Sequence, residues 1–299
     1  MGGSVRILAA FTGLVGIKPA AGRLPLDDQP CSSTTFSTMD CSREPSRIFG
    51  QRSLRSAAPL GPIRALQYRP YRICPEYPTF KGLRVAVSHY IGFFEIEPEV
   101  RDRLDEVARH LAEAGATIHH PNLDWDRSIA DGWVRHWHVY LAAFFGDDLD
   151  RIGDRADPRL NAAVAKGRSH DAVAIKQLDL VRKRQWSALL ELFDSHDVLL
   201  SPTMTRPAVG VEEDDARYHA LAQDGRKRGL DMTSVFNWVP WCPALSVPAG
   251  VSKDGLPMGM HITAPPHRDD LALHVAAAIE DCWPHTWPPI WVPHDLERC

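Results

Sequence analysis

Gly2-Gly3-Ser4 opens the stretch whose residue types could do chemistry. A serine hydroxyl is a weak nucleophile near neutral pH and needs a base to take its proton. It also needs donors aimed at the oxyanion that forms on an attacked carbonyl. Glycines ahead of a serine suit the second need, because a backbone without Cβ turns sharply and lets its N–H groups face a ligand. Taken alone, the tripeptide reads as a turn solvated by its serine, since short glycine motifs recur by chance.

The longer string carries more. After Ser4 come Val5-Arg6, a small apolar run from Ile7 to Ile17 punctuated by glycine, then Lys18-Pro19 and Gly22-Arg23-Leu24-Pro25. This resembles the core signature of the amidase signature family, G-G-S-[IV]-R-x-P-A-x-x-x-G-x-x-G-x-K-P-[TS]-x-G-R-x-P. Gly2, Gly3, Ser4, Val5, Arg6, Ala9, Gly13, Gly16, Lys18, Pro19, Gly22, Arg23 and Pro25 fall in register. Leu8 stands where proline is usual, and Ala20 where threonine is usual. The resemblance implies that Ser4 is the acyl-enzyme nucleophile, that Gly2 and Gly3 form the oxyanion hole, and that Arg6 gives structural support. It also implies a Ser–Ser–Lys triad. The family's lysine base, its bridging serine and an aspartate beside the arginine all precede the signature. No residue of this sequence is assigned to those three roles. Lys18 belongs to the Lys-Pro turn and is not taken as the base.

Composition narrows the setting. The formal net charge is −4 and charged residues make up 24%, with no basic stripe of the kind that tracks nucleic acid. No apolar run approaches the length of a membrane span. Six cysteines, at 31, 41, 74, 242, 282 and 299, show no CxxC spacing. The reading is free thiols in a reducing cytoplasm.

The elements that must position Ser4 come next. Residues 1–26 form the signature segment. Roughly residues 27–80 hold turn-like, Ser/Thr-rich and arginine-rich stretches with no periodic apolar face, and are read as an irregular insertion. Leu83 to Val87 alternates like a strand. Pro98 sits at a first helical position, and Val100, Leu104, Val107 and Leu111 follow at helical spacing, with Gly115 as the stop. Thr117-Ile118-His119 is a second short strand. Trp133, Trp137, Tyr140, Leu141 and Phe144 read as one buried helix stripe. Asp171 to Asp194 reads as an amphipathic helix, and Asp197 to Thr203 as a buried strand stopped by proline. His119-His120 and His136-x-His138 lack a third ligand at a familiar offset and are read as solvated or capping.

A second block spans Phe236 to Gly250 and Gly255 to Ile262. It resembles the family's "FNxxGxPAxSVPxG…GLPxGxQI" pattern, with Trp241-Cys242 replacing the usual small residue and its neighbour. Two short strands joined by a tight turn are expected, with Ser246 in a structural place. A last helix starts at Asp269-Asp270, whose acids suit the helix dipole, and the tail from Trp283 reads as an irregular cap.

The expected fold is α/β, a mixed sheet flanked by helices in the amidase style, lacking the N-terminal part of that fold, as a single partial domain with residues 81–299 as its C-terminal region. The implied reaction is hydrolysis of a carboxamide. No metal, nucleotide or other cofactor is implied. The partner is a small-molecule amide, with no nucleic acid and no membrane, and a homodimer is left open. Activity of these residues alone is expected to be low or nil. Two alternatives stay open: a non-catalytic remnant that binds an amide-like ligand, and an A-type subunit of a tRNA-dependent amidotransferase.

The family resemblance also bears on residues 27–80. The codons ATG GAC TGC TCG CGC GAA CCG TCG CGG AT are one spelling of Met39 to Ile48, and in a shifted frame they read G-L-L-A-R-T-V-A-D. That matches the A-R-[ST]-V-A-D helix which follows the signature in amidases. A frameshift across roughly residues 27–80 is therefore expected. The genomic nucleotide sequence is the check, and a shifted frame that does not encode the helix refutes it.

Overall fold

The computed structural model describes residues 4–21, 23, 41–43, 80–210, 212–213 and 221–283. In chain order the elements are α1 (Ser4–Thr12), β1 (Val15–Lys18), β2 (Cys41–Arg43), β3 (Arg84–Val87), α2 (Pro98–Glu113), β4 (Thr117–His119), α3 (Ser128–Ile152), α4 (Pro158–Arg168), α5 (Ala172–Ser195), β5 (Val198–Pro202), β6 (Ala244–Val251), β7 (Pro257–Thr263) and α6 (Asp269–Cys282). Ser234–Trp238 is a 3-10 turn.

A seven-stranded sheet runs in the order β2-β1-β6-β7-β5-β3-β4. Its β3, β4 and β5 are parallel, and every other neighbouring pair is antiparallel. The mixed α/β fold is therefore as expected. Strand alternation sorts the side chains onto two faces. Val85 and Val87 of β3, Leu200 of β5, and Met260 and Ile262 of β7 pack with Leu104 and Val107 of α2 and Val275 and Ile279 of α6. Ala86 and Leu199 point the other way, into a cluster with Trp133 of α3, Leu189 of α5, and Phe236 and Trp238 of the 3-10 turn. Each of these large side chains contributes roughly 1.5–3 kcal/mol by leaving water.

Local signals account for the helices. Pro98 occupies the first turn of α2, and the face of Val100, Leu104, Val107, Ala108 and Leu111 is buried. Asp171 caps α5 by accepting from the Ala174 N–H at 2.7 Å, worth about 1 kcal/mol. Helix α4 is not marked by its weak periodicity, yet Asp157-Pro158 at its start is a cap followed by proline at the first position.

The run from Ile7 to Ile17, to which the sequence assigned no element, falls into a helix and a strand. Two expectations need adjusting. Within the stretch read as irregular, Cys41–Arg43 pairs with β1 as an edge strand, while most of 24–79 and the tail 284–299 lie outside the described residues. The aromatic stripe of α3 is buried at Trp133 and Leu141 but only half-buried at Trp137, Tyr140 and Phe144. Beyond Trp133 the cover is α4 rather than the sheet, and these rings stack on one another instead, with Tyr140 and Phe144 at 4.2 Å between centroids.

Helix α1 lies on β1, β6 and β7, and glycines let it come close. A Cβ on Gly16 would stand 2.7 Å from Ala9 Cβ, and one on Gly259 would stand 2.7 Å from Ala10 Cβ and 2.8 Å from Ser246 Oγ. Gly259→Ala is expected to push α1 off the sheet and cost about 1–3 kcal/mol, read as a lowered chemical-denaturation midpoint. An unchanged midpoint would contradict this packing.

Candidate active site

Ser4 is the first residue of α1. The free N–H groups of a first helical turn and the helix dipole both favour negative charge there, which suits an oxyanion. Gly2 and Gly3 lie outside the described residues, as does the side chain of Ser4. The structure therefore places the helix that carries Ser4.

What holds that helix is Arg6, two residues on, whose side chain has no exposed surface. Its Nη1 lies 2.9 Å from His261 Nε2 on β7, and its Nη2 donates to Asn237 Oδ1 on the 3-10 turn. Arginine has donors only, so His261 Nε2 must be the bare acceptor. The imidazole proton then sits on Nδ1, facing Thr263 Oγ1 at 3.3 Å. Burial first, then the charges of Arg6 and Lys18, hold the His261 imidazole well below the usual histidine value. It is neutral in the fold, as the hydrogen bond requires. Asp231, just before the 3-10 turn, has its carboxyl pushed up by burial, against bonds from Thr233 and Ser234 and the Arg6 charge.

The later signature residues are tied down as firmly. Lys18, fully buried, donates through Nζ to the carbonyls of Cys242 at 2.6 Å and Pro240 at 3.3 Å. The Ala20 N–H and Arg23 Nε reach the buried Asp269 carboxylate at 2.8 and 3.3 Å, and Arg23 Nη2 reaches the His267 carbonyl at 2.9 Å. These contacts stitch the N-terminal signature to the C-terminal block. They also occupy Lys18 with structural bonds.

Other candidates sit apart from this chemistry. Ser246 is buried with its Oγ 2.9 Å from Thr203 Oγ1. Burial pushes the Cys242 thiol up to about 12, which leaves no thiolate to attack. His119 Nδ1 meets His196 Nε2 at 3.0 Å, His120 stacks on His89, and His136 packs on Trp238. Among the described residues none of these joins a group of three or more metal-ligating side chains.

The mixed sheet and the helices on both its faces, with Ser4 at the head of α1, define a mixed α/β scaffold. The family model Amidase matches residues 64–273, more than half of the chain, and the chain belongs to that family. An acylamidase of Rhodococcus erythropolis is 29% identical over 287 residues, covering 93% of this chain and 59% of the relative. A 6-aminohexanoate-cyclic-dimer hydrolase of a Pseudomonas strain is 28% identical over 315 residues, covering 94% and 62%. A solved bacterial aryl acylamidase of the amidase signature family superposes with a TM-score of 0.78 at 23% identity, covering 95% of this chain and 61% of that one. The chain thus spans about three fifths of the length of the relatives it matches.

Sequence reasoning singled out Arg6 but missed its acceptors. Asn237 and His261 lie 231 and 255 residues away, and only the second block's resemblance drew the eye to them. A pH dependence follows. In the unfolded chain His261 and His136 titrate near 6.5, roughly the ordinary histidine value. In the fold burial depresses both, His136 to about 4. The unfolded state therefore binds more protons below about 6.5, and stability falls as pH falls. Denaturation midpoints taken from about pH 7 down to about pH 4 are expected to drop steadily, and a flat profile would contradict the buried neutral imidazoles.

Proposed function

We propose that this chain carries the nucleophile of an amidase that hydrolyses carboxamide C–N bonds through a serine acyl-enzyme. The observation that carries the reading is the signature at Gly2–Pro25, with Ser4 at the head of a helix whose Arg6 is buried against Asn237 and His261. In this reading Ser4 Oγ attacks the carbonyl carbon while the Gly2 and Gly3 N–H groups hold the oxyanion. The C–N bond then breaks, ammonia or an amine leaves, and water cleaves the acyl-enzyme to release the acid and regenerate the serine.

The base is the family's lysine acting through a bridging serine, and no residue of this sequence is assigned to either. Loss of a base that activates serine costs orders of magnitude in rate, with residual catalysis from oxyanion binding. Turnover by these 299 residues alone is therefore expected to be low. The same reading takes a small-molecule amide as partner, with no nucleic acid and no membrane. No helix among the described residues is long and apolar enough to cross a membrane. The exposed free thiol of Cys282 supports a reducing, cytoplasmic setting. Relatives named acylamidase and aryl acylamidase support an acyl anilide as the first substrate to test.

Slow anilide cleavage and a fluorophosphonate adduct on Ser4, seen by peptide mass spectrometry, are the expected results. Ser4→Ala should abolish the adduct, while the residual rate, which comes from oxyanion binding without an activated serine, should change little. An adduct on another residue, or one that Ser4→Ala leaves in place, would remove Ser4 from the mechanism.

A further inference from the structure

We propose that His261 is a positioning residue for this site: by accepting a hydrogen bond from Arg6 it sets the first turn of α1, and so the placement of Ser4, in a way that depends on its own proton. The proposal rests on the reading of Ser4 as the nucleophile.

The argument begins with the cost of burying a guanidinium. Arg6 is fully enclosed, and a buried charge is tolerated only when hydrogen-bonded. Asn237 meets one end of the fork and His261 meets the other, at 2.9 Å. Both acceptors come from C-terminal elements, so the fork ties the start of α1 to β7 and to the 3-10 turn. Four residues further along, Ala10 touches the same strand at Gly259. The N-terminal turn is thus held by a polar anchor and the C-terminal turn by close packing. Without the anchor, the turn that carries Ser4 loses its hydrogen bond to β7.

The residue type matters. The family pattern that the second block resembles places glutamine at this position, and this chain has His261. A glutamine carbonyl accepts at any pH, whereas an imidazole nitrogen accepts only while it is unprotonated. A protonated His261 would set N–H against N–H, with Arg6 facing it from α1 and Lys18 from β1. Asp231, whose carboxylate accepts from Thr233 and Ser234, interacts with the Arg6 charge. The Phe236 ring lies against the imidazole at 4.7 Å between centroids, and His261 is 1% exposed, so water cannot replace the lost partner. The pairing of Arg6 with His261 is therefore a proton-dependent latch on the nucleophile helix, where a glutamine would make a permanent one.

Hydrogen–deuterium exchange of the full chain tests this. The readout is peptides spanning residues 4–12, corrected for intrinsic rates, with 98–113 and 172–195 as references. Wild type, His261→Gln and His261→Leu are compared at about pH 7.5 and about pH 4.5, on either side of the ordinary histidine value. At the higher pH, His261→Leu should speed exchange at 4–12 about tenfold or more, the consequence of removing a bond to a buried charge. His261→Gln should match wild type. On acidification wild type should loosen at 4–12 ahead of the reference peptides, and His261→Gln should not. Fluorophosphonate labelling of Ser4 should follow the same order. Equal exchange at 4–12 in all three proteins would overturn the proposal, as would loosening of all peptides together or acid loosening unchanged by glutamine. If His261→Leu does not fold, wild type against His261→Gln across pH decides alone. Failure of wild-type Ser4 to label would count against the nucleophile reading, while the exchange results still decide the latch.

Discussion

The burial of Arg6 is the constraint on which the rest of this architecture depends. A guanidinium with no exposed surface must find acceptors, and the nearby backbone of its own helix cannot supply them. The chain therefore brings Asn237 and His261 across more than two hundred residues to meet it. Desolvating a charge costs several kcal/mol unless it is paired in good geometry, so this arrangement is close to all-or-none. A fold that misplaced β7 or the 3-10 turn would strand the charge.

The same logic repeats along the signature. Lys18 is buried among carbonyls of the Pro240–Cys242 segment, and Asp269 collects the Ala20 N–H and Arg23. The polar residues of the motif thus form a row of anchors joining the first twenty-odd residues to the last third of the chain. Between the anchors, Ala9 and Ala10 sit against Gly16 and Gly259 with no room for a larger residue. Small residues permit close approach, and anchors fix the register of that approach. Together they explain why the motif mixes glycine and alanine with fully buried charges.

The sheet serves this arrangement from beneath. Antiparallel β6 and β7 place Ser246 opposite His261, on the face away from the core of α2 and α6. Hydrophobic packing fills one side of these strands, and a lattice of hydrogen-bonded polar groups fills the other under α1. Buried polar networks of this kind rigidify the elements they join. Belonging to the amidase family while spanning about three fifths of its relatives' length, the chain keeps this supporting platform intact among its described residues.

The sequence by itself determined the periodic elements. Leu83 to Val87, the helix from Pro98, the Asp171-capped helix and the paired strands of the second block were all legible, because apolar spacing and caps act over a few residues. It determined the family too, because the signature is long and its glycines, serine and charges are in register. Only the tertiary structure decided the rest. Helix and strand within Ile7 to Ile17 were not legible, since a run of small residues has no clear period and takes its form from the sheet it packs on. The partners of Arg6, Lys18 and Arg23 were not legible either. A charged residue in a sequence looks alike whether it is solvated or buried, and only the fold says which distant acceptors reach it.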